Sequence, residues 1–157
     1  MSLKGNLTFH NLYKNPDPDL TPGVIRFMSR AGLGHTLADR HFVVAACLPN
    51  GDVVGVSTFR KLLVPHLNNN HVFECKLHVE EENDELSMQV LSKSAEFLYA
   101  TGLQESVVGI MMVVEDKGTA ARTLWRRAIW PETGFVLMGF TSAGNPIFIH
   151  YFKSVRI

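Results

Sequence analysis

Two side chains suited to proton transfer, Glu74 and His78, lie four residues apart in a segment that alternates apolar and polar residues. Because successive side chains of a β-strand point to opposite faces, this alternation predicts a strand over His71–Glu80 that carries Glu74, Lys76 and His78 on one polar face. A carboxylate in a groove can have a raised pKa and accept a proton from an amine. His78 could share that proton transfer or bind the substrate.

These residues also have structural interpretations. Glu74 could face solvent and pair with Lys76 or with a neighbouring strand, and His78 could be a half-exposed structural histidine. Glu74 and His78 could together bind Zn or Fe with His71 or His41, because histidine and glutamate suit those metals. No tight spacing of ligands supports the metal site, so none is predicted.

The polar strand must be held by the elements that follow it. A run of acidic residues, 80–85, leads into a helix-period segment over Glu85–Thr101, with Gly102 as the residue after the helix. Next comes Val107–Val114, eight apolar or small residues without a polar break. That length and composition predict a strand covered on both faces, at the centre of the fold.

The rest of the chain fits around this centre. Before the centre we predict a first strand within Leu3–His10 and a helix with Thr21 as N-cap and Pro22 at its first position. A hairpin of His41–Leu48 and Val53–Phe59 around Asn50-Gly51 follows, and then a connection over Leu62–Asn70. After the centre we predict a helix over Thr119–Ala128 and two closing strands, Phe135–Thr141 and Pro146–Phe152. We therefore expect a single domain over residues 1–157.

The composition indicates an ordinary globular protein. The chain of 157 residues is 46% hydrophobic and 19% charged, with a formal net charge of zero, so no global basic field argues for nucleic acid. Cys47 and Cys75 lie in apolar runs and are predicted to be buried thiols in a reducing compartment. No apolar run reaches the roughly 18 residues that a membrane span needs, and we expect a cytoplasmic protein.

In this order, the predicted elements resemble the GNAT superfamily of acyl-CoA-dependent N-acyltransferases. The likeness covers nearly the whole chain. Locally, Val79–Leu91 has the length of that family's pyrophosphate loop, residues 121–125 are similar to its Ala-x-x-Leu-Tyr helix, and Gly134-Phe135 is similar to the Gly-Phe that follows. The resemblance implies an α+β or α/β fold with a mixed, mostly antiparallel sheet flanked by helices on both faces.

The resemblance also implies roles for particular residues. Glu74 stands where many GNAT enzymes place a general base, with His78 beside it. Acetyl-CoA or another acyl-CoA would be held by backbone groups of Leu77 and Val79 and by the start of the helix. The residues implied at that start are Ser87, Met88 and Gln89.

Several positions depart from the family's pattern. Asp84 stands where the family has Arg or Gln, and Glu85, Ser87 and Gln89 stand where it has glycine or alanine, so the pyrophosphate loop is degenerate. Trp125 replaces a tyrosine that can protonate the leaving thiolate, which an indole cannot do.

Two functions follow as hypotheses. The first is a GNAT-like transferase that moves an acyl group, of the acetyl type, to an amine of a small molecule, a protein or a nucleobase. The alternative is a GNAT-fold protein that has lost acyl-CoA use and acts as a Mom-like nucleobase or DNA-modification protein or as a binding module. A homodimer stays open, no membrane partner is expected, and the net charge does not support nucleic acid.

Overall fold

The computed structural model describes residues 6–13, 17–32, 40–80, 84–113 and 134–152. Within these ranges the chain forms seven strands, two α-helices and one short 3-10 helix. In chain order the elements are β1 (Thr8–Asn11), α1 (Thr21–Arg30), β2 (His41–Cys47), β3 (Val53–Val64), the 3-10 helix (Pro65–Leu67), β4 (Asn70–Val79), α2 (Asp84–Glu105), β5 (Val107–Val113), β6 (Val136–Phe140) and β7 (Pro146–Tyr151).

The seven strands form one sheet in the order β1-β2-β3-β4-β5-β7-β6. Its pairs are antiparallel, except that β4 and β5 run parallel. The parallel pair exists because the chain crosses over through α2 between these strands, as parallel neighbours require. The predicted mixed, mostly antiparallel sheet is confirmed.

The apolar strand β5 lies inside this sheet, between β4 and β7. Its first six residues are buried. Ile110 packs in the core cluster under α2, whereas the next residue, Met111, packs in a cluster on the opposite face. The prediction of a strand covered on both faces is confirmed over Val107–Val113, and Val114 lies outside the described residues.

The two helices cover opposite faces of the sheet. On one face α2 contributes Val90, Leu91 and Leu98 to a cluster with the strand residues Phe73 and Phe148. On the other face, α1 packs against β2 and β3 through a second cluster that includes Val24, Met28, Ala45 and Val56. Helices on both faces are therefore also confirmed.

Strand β3 is longer than predicted. The expected connection Leu62–Asn70 is wrong for its first residues, because β3 continues to Val64 and pairs with β4 as far as Asn70. The reason is tertiary: Leu62 and Val64 pack with Val72 and Met111 in an apolar cluster. The turn is left to the 3-10 helix and to two left-handed asparagines, Asn68 and Asn69, a residue type that tolerates this conformation.

Two helix ends also differ from the predictions. Gly102 is not the residue after α2, which continues to Glu105; a glycine within a helix costs only about 1 kcal/mol relative to alanine, and Ser106 takes the left-handed conformation instead. At the start of α1 the N-cap is Leu20, and the hydroxyl of Thr21 donates to the carbonyl oxygen of Asp17 over 2.9 Å.

The hairpin at Asn50-Gly51 is confirmed. The predicted helix Thr119–Ala128 lies outside the described residues.

Candidate functional site

A gap opens between the two parallel strands at the centre of the sheet. Strand β4 pairs with β5 at His71, Phe73 and Glu74, and the last pair joins Glu74 to Met111. Beyond that pair β4 runs on for five residues to Val79, and no pairing with β5 joins the described residues of this stretch. The two strands therefore separate after Glu74. At the end of β4 that leads into α2, the edge that faced β5 has no neighbour among the described strands.

Glu74 lies at the point where the strands separate, held between two arginines. Its Oε1 accepts a hydrogen bond from Arg40 Nη1 over 2.9 Å, and its Oε2 accepts one from Arg60 Nη2 over 2.8 Å. Arg60 stands directly opposite Glu74 on β3, and Arg40 immediately precedes β2. The side chain of Glu74 is 7% exposed and that of Arg40 is 5% exposed, so this pair is buried, whereas Arg60 is 43% exposed.

The two arginines set the charge state of Glu74. Burial alone would raise the pKa of its carboxyl, but the hydrogen bonds and charges of Arg60 and Arg40 outweigh burial and hold the pKa below 4.5. The sequence-based expectation of a raised pKa is therefore wrong. Of the structural interpretation, the solvent-facing position and the pairing with Lys76 are wrong, whereas the pairing with a neighbouring strand is confirmed by Arg60 of β3. Because a carboxylate bound by two guanidinium groups is a weak proton acceptor, the geometry does not favour Glu74 as the base.

Sequence reasoning missed Arg40 altogether. Its guanidinium donates to Thr58 Oγ1 over 2.8 Å and to the carbonyl oxygen of Glu74 over 2.8 Å, in addition to its bond with the Glu74 carboxylate. Arg60 could have been found, because the alternation of β3 places it on the face of Thr58, next to β4. Arg40 precedes its strand, and no periodic pattern indicates where its side chain lies.

His78 lies on the same face of β4, two residues beyond Lys76 and opposite Val56 of β3. Its Nε2 is buried and has no hydrogen-bond partner among the described residues. Burial first, and then the charges of Lys76 and Arg40, lower the pKa of His78 from 6.5 to about 4. The imidazole is therefore neutral at pH 7. Whether Glu74 and His78 take part in catalysis stays a prediction.

The low pKa of His78 predicts an acid-sensitive fold. Between pH 6.5 and about 4 the unfolded chain binds a proton at His78 that the folded chain does not, so the free energy of unfolding falls as the pH falls through this window. The loss reaches at most about 3 kcal/mol, and His78→Gln should flatten the curve there. Urea unfolding at several pH values measures it. If His78→Gln leaves the slope of the free energy of unfolding against pH unchanged, His78 is not its cause. The stabilising contribution of Glu74 is lost only as the pH falls below 4.5, outside this window.

The residues expected to hold a cofactor are only partly brought together. Leu77 and Val79 turn their side chains toward the core under α2, so their backbone groups are what the free edge of β4 presents. In the first turns of α2, Ser87 is buried with an Oγ that bonds to none of the described residues, Met88 is half-buried, and Gln89 is exposed. The edge of β4 and the start of α2 are adjacent in the chain, at the same end of the sheet.

A second cavity lies away from these residues, where β1, α1 and β2 meet. Its volume is about 290 Å³, and neither Glu74 nor His78 lines it. Tyr13 lies in its wall with its ring edge-on to Phe59, at 5.0 Å between centroids. The lining residues are Leu12, Tyr13, Thr21, Val24, His41 and Phe42.

The predicted thiols are confirmed: Cys47 and Cys75 are buried and unpaired by disulfide. Burial raises the pKa of Cys75 to about 12, so this thiol does not ionise near neutral pH.

In the part of the chain that the structure describes, no three histidine, cysteine or acidic side chains are grouped to hold a metal ion. Across the same residues, no helix combines the length and apolar content needed to cross a membrane.

Comparison with known proteins gives a result for structure only. No family model and no curated protein matches this chain. Among solved structures, it is similar to a bacterial toxin with a TM-score of 0.64 and 16% identity, covering 95% of this chain and 92% of that one. It is similar to an acetyltransferase of the GNAT family from Streptococcus pneumoniae with a TM-score of 0.61 and 15% identity, covering 93% and 99%.

A third similar structure is AtaT complexed with acetyl-methionyl-tRNAfMet, with a TM-score of 0.59 and 13% identity over 95% of this chain and 96% of that chain. All three likenesses span nearly the full length of both chains. The chain therefore has the fold of the GNAT superfamily of acyltransferases.

Proposed function

We propose that this protein transfers an acyl group from an acyl-CoA to an amine, with the donor in the gap between β4 and β5. The observation that carries the proposal is the end of strand pairing at Glu74 and Met111, which leaves the edge of β4 free as far as Val79 among the described residues. The fold adds support, because a similar structure is AtaTR bound with acetyl-CoA, at 14% identity and a TM-score of 0.59.

The residues at the gap fit the amide-bearing arm of an acyl-CoA. A strand edge without a partner presents backbone N–H and C=O groups, and backbone groups of Leu77 and Val79 would hold that arm as a neighbouring strand is held. The buried Oγ of Ser87, which bonds to no described residue, could bond to the donor, with Met88 and Gln89 beside it. When bound, the donor would supply an activated thioester carbonyl.

The acidic turn weakens the fit at the phosphates. Glu80 and Glu85 are exposed on either side of the β4–α2 connection. A carboxylate about 4 Å from a phosphate costs about 1 kcal/mol even in water, and more where solvent is excluded. The helix N-terminus at Asp84 offsets part of this cost, because its backbone N–H groups favour anions. We therefore propose that the amide-bearing arm of the acyl-CoA contributes most of its binding affinity.

The positive charges around Glu74 would favour the reactive form of the acceptor amine. Glu74 fixes Arg40 and Arg60, so we propose it as a positioning residue. Positive charges near an amine lower its pKa and favour the neutral form, which is the nucleophile. With a pKa of about 4, His78 is too weak a base to deprotonate an ammonium group efficiently at neutral pH. In our proposal it would lie against an amine that is already neutral, take the proton released as the amide C–N bond replaces the thioester C–S bond, and give that proton to the leaving thiolate.

The acceptors to be tested extend beyond small molecules. The similar structures include AtaT with acetyl-methionyl-tRNAfMet and a mutant AtaT toxin bound to the C-terminus of the antitoxin AtaR. Amines on small molecules, proteins and aminoacyl-tRNA therefore all belong among the acceptors to be tested. The alternative of a Mom-like or binding protein that does not use acyl-CoA has no structural observation in its favour among the described residues.

Thermal unfolding with acetyl-CoA tests the proposal. We expect a saturable rise in melting temperature, because a ligand at about 100 times its Kd adds about 2.7 kcal/mol to the folded state. Release of free thiol in the presence of an amine panel should accompany it, and His78→Gln should lower that rate while preserving binding. No shift at millimolar acetyl-CoA would contradict the proposal and favour the alternative.

A further inference from the structure

A cluster of four charged side chains on the sheet face beside the gap carries more positive than negative charge. Around the carboxylate of Glu74 stand the guanidinium groups of Arg40 and Arg60, and Lys76 follows Glu74 on the same face of β4. His78, two residues beyond Lys76, is close enough to both Lys76 and Arg40 for their charges to lower its pKa. One carboxylate cannot neutralise three cations, so these described residues together carry an excess of positive charge.

Arg40 is not available for a ligand. Its side chain is 5% exposed, and its guanidinium makes four hydrogen bonds to Thr58 and Glu74. Arg40 therefore serves to hold Glu74 in place. The excess charge that a ligand can reach must belong to the other two cations.

Arg60 and Lys76 are available. The side chain of Arg60 is 43% exposed, and its Nε and Nη2 both donate to Glu74 Oε2, at 3.0 and 2.8 Å. These bonds fix the plane of the guanidinium, and its Nη1 donates to none of the described residues. Lys76 is half-buried and makes no ion pair with any described carboxylate.

His78 adds a polar group without a described partner beside these cations. Its Nε2 is buried and makes no hydrogen bond to the described part of the chain, although the ring lies on the same face as Lys76. An unsatisfied buried polar atom is costly, and it is commonly satisfied by a ligand or a water. A group that accepts hydrogen bonds and carries negative charge would satisfy the histidine and the two cations together.

We propose that Arg60, Lys76 and His78 bind an oxyanion, a carboxylate or a phosphate, of the ligand that occupies the gap. The guanidinium is already oriented by Glu74, so little side-chain entropy is lost on binding. On the proposed acyl-transfer function, on which this step rests, the acceptor is an amine that also bears a carboxylate or phosphate. A simple ammonium ion would be repelled by the excess positive charge, whereas an attached anion offsets that repulsion.

Titration with inorganic phosphate at constant ionic strength tests the site without acyl-CoA or turnover. The imidazole resonances of His78, followed by NMR, should shift saturably, and the pKa of His78 should rise toward 6.5 in the presence of phosphate. Arg60→Gln and Lys76→Gln should each weaken phosphate binding roughly three- to tenfold. The matched control is Lys93→Gln, because Lys93 lies on α2 at the opposite face and pairs with Glu96.

The outcomes separate this proposal from the proposed function. No response of wild-type His78 to phosphate, or equal affinities in Lys76→Gln and Lys93→Gln, would overturn the oxyanion site even if acetyl-CoA binds. A phosphate response without acetyl-CoA binding would support the site and reject the transferase.

Calorimetry with coenzyme A identifies the source of the anion. Unchanged coenzyme A affinity in Arg60→Gln and Lys76→Gln assigns the oxyanion to the acceptor, whereas a matching loss assigns it to the donor's phosphates.

Discussion

Replacing Glu74 with leucine is expected to lower the free energy of unfolding by about 3–5 kcal/mol. The loss arises because the guanidinium of Arg40, which is 5% exposed, would keep its charge in the interior without the carboxylate that lies 2.9 Å away. Glu74→Gln keeps the shape but not the charge, so it should be destabilising as well. Urea unfolding at pH 7 measures both variants.

The matched control removes both members of the buried pair. In the double variant Arg40→Met/Glu74→Leu most of the lost stability should return, because replacing a buried ion pair by apolar side chains is often close to neutral. Arg60→Met alone should cost about 1 kcal/mol or less, since Arg60 is 43% exposed. Additive losses from Arg40→Met and Glu74→Leu would contradict the buried pair.

Substitution of alanine for Gly109 is the second change with a large expected effect. A Cβ atom at this position would clash with the carbonyl oxygen of His150 and would lie 3.1 Å from the Cα of Tyr151. Both contacts are with the backbone of β7, so they can be relieved only by moving apart two strands that are hydrogen-bonded inside the sheet. We expect a loss of about 3 kcal/mol in the free energy of unfolding.

Gly139→Ala is the control for this prediction. Gly139 lies in β6, and a Cβ atom added there would meet none of the described residues within 4 Å. Its substitution should change stability by about 0.5 kcal/mol or less. Similar losses for Gly109→Ala and Gly139→Ala in chemical denaturation would show that β5 does not approach β7 as closely as described.

Much of this fold could be predicted because local patterns determine it. The alternation of β4 has period two, the unbroken apolar run of β5 has too few residues for a membrane span, and Asn50-Gly51 suits the tight turn between β2 and β3. Each of these signals rests on backbone geometry or on the burial of one strand face. They were enough to place the sheet, its centre and its two helical faces.

The site was harder to predict because long-range packing decides it. The sequence placed Glu74 correctly on the polar face of β4 but gave no sign that Arg40, 34 residues earlier in the chain, binds it. Without that contact, the direction in which the pKa of Glu74 shifts is inferred with the wrong sign. The additional length of β3 has a similar origin, since it depends on an apolar cluster formed with β5.

The acidic turn is expected to weaken the binding of coenzyme A. If Glu80 and Glu85 repel the donor's phosphates, Glu80→Gln/Glu85→Gln should tighten coenzyme A binding, and the gain should shrink in high salt because exposed charges are screened. Both side chains are exposed, so the double variant should fold normally. Calorimetry at two salt concentrations measures the effect, and equal affinities for the variant and the parent chain would show that the turn lies away from the phosphates.

The central claim is that an acyl-CoA lies along the free edge of β4, and hydrogen exchange of the backbone amides of residues 75–79 tests it most directly. With saturating acetyl-CoA, amides on that edge should exchange markedly more slowly, while those of β6 at the far side of the sheet should be unchanged. Protection confined to β4 and the first turn of α2 is the predicted result. Unchanged exchange along β4 at a concentration that saturates binding would place the ligand elsewhere and contradict the account.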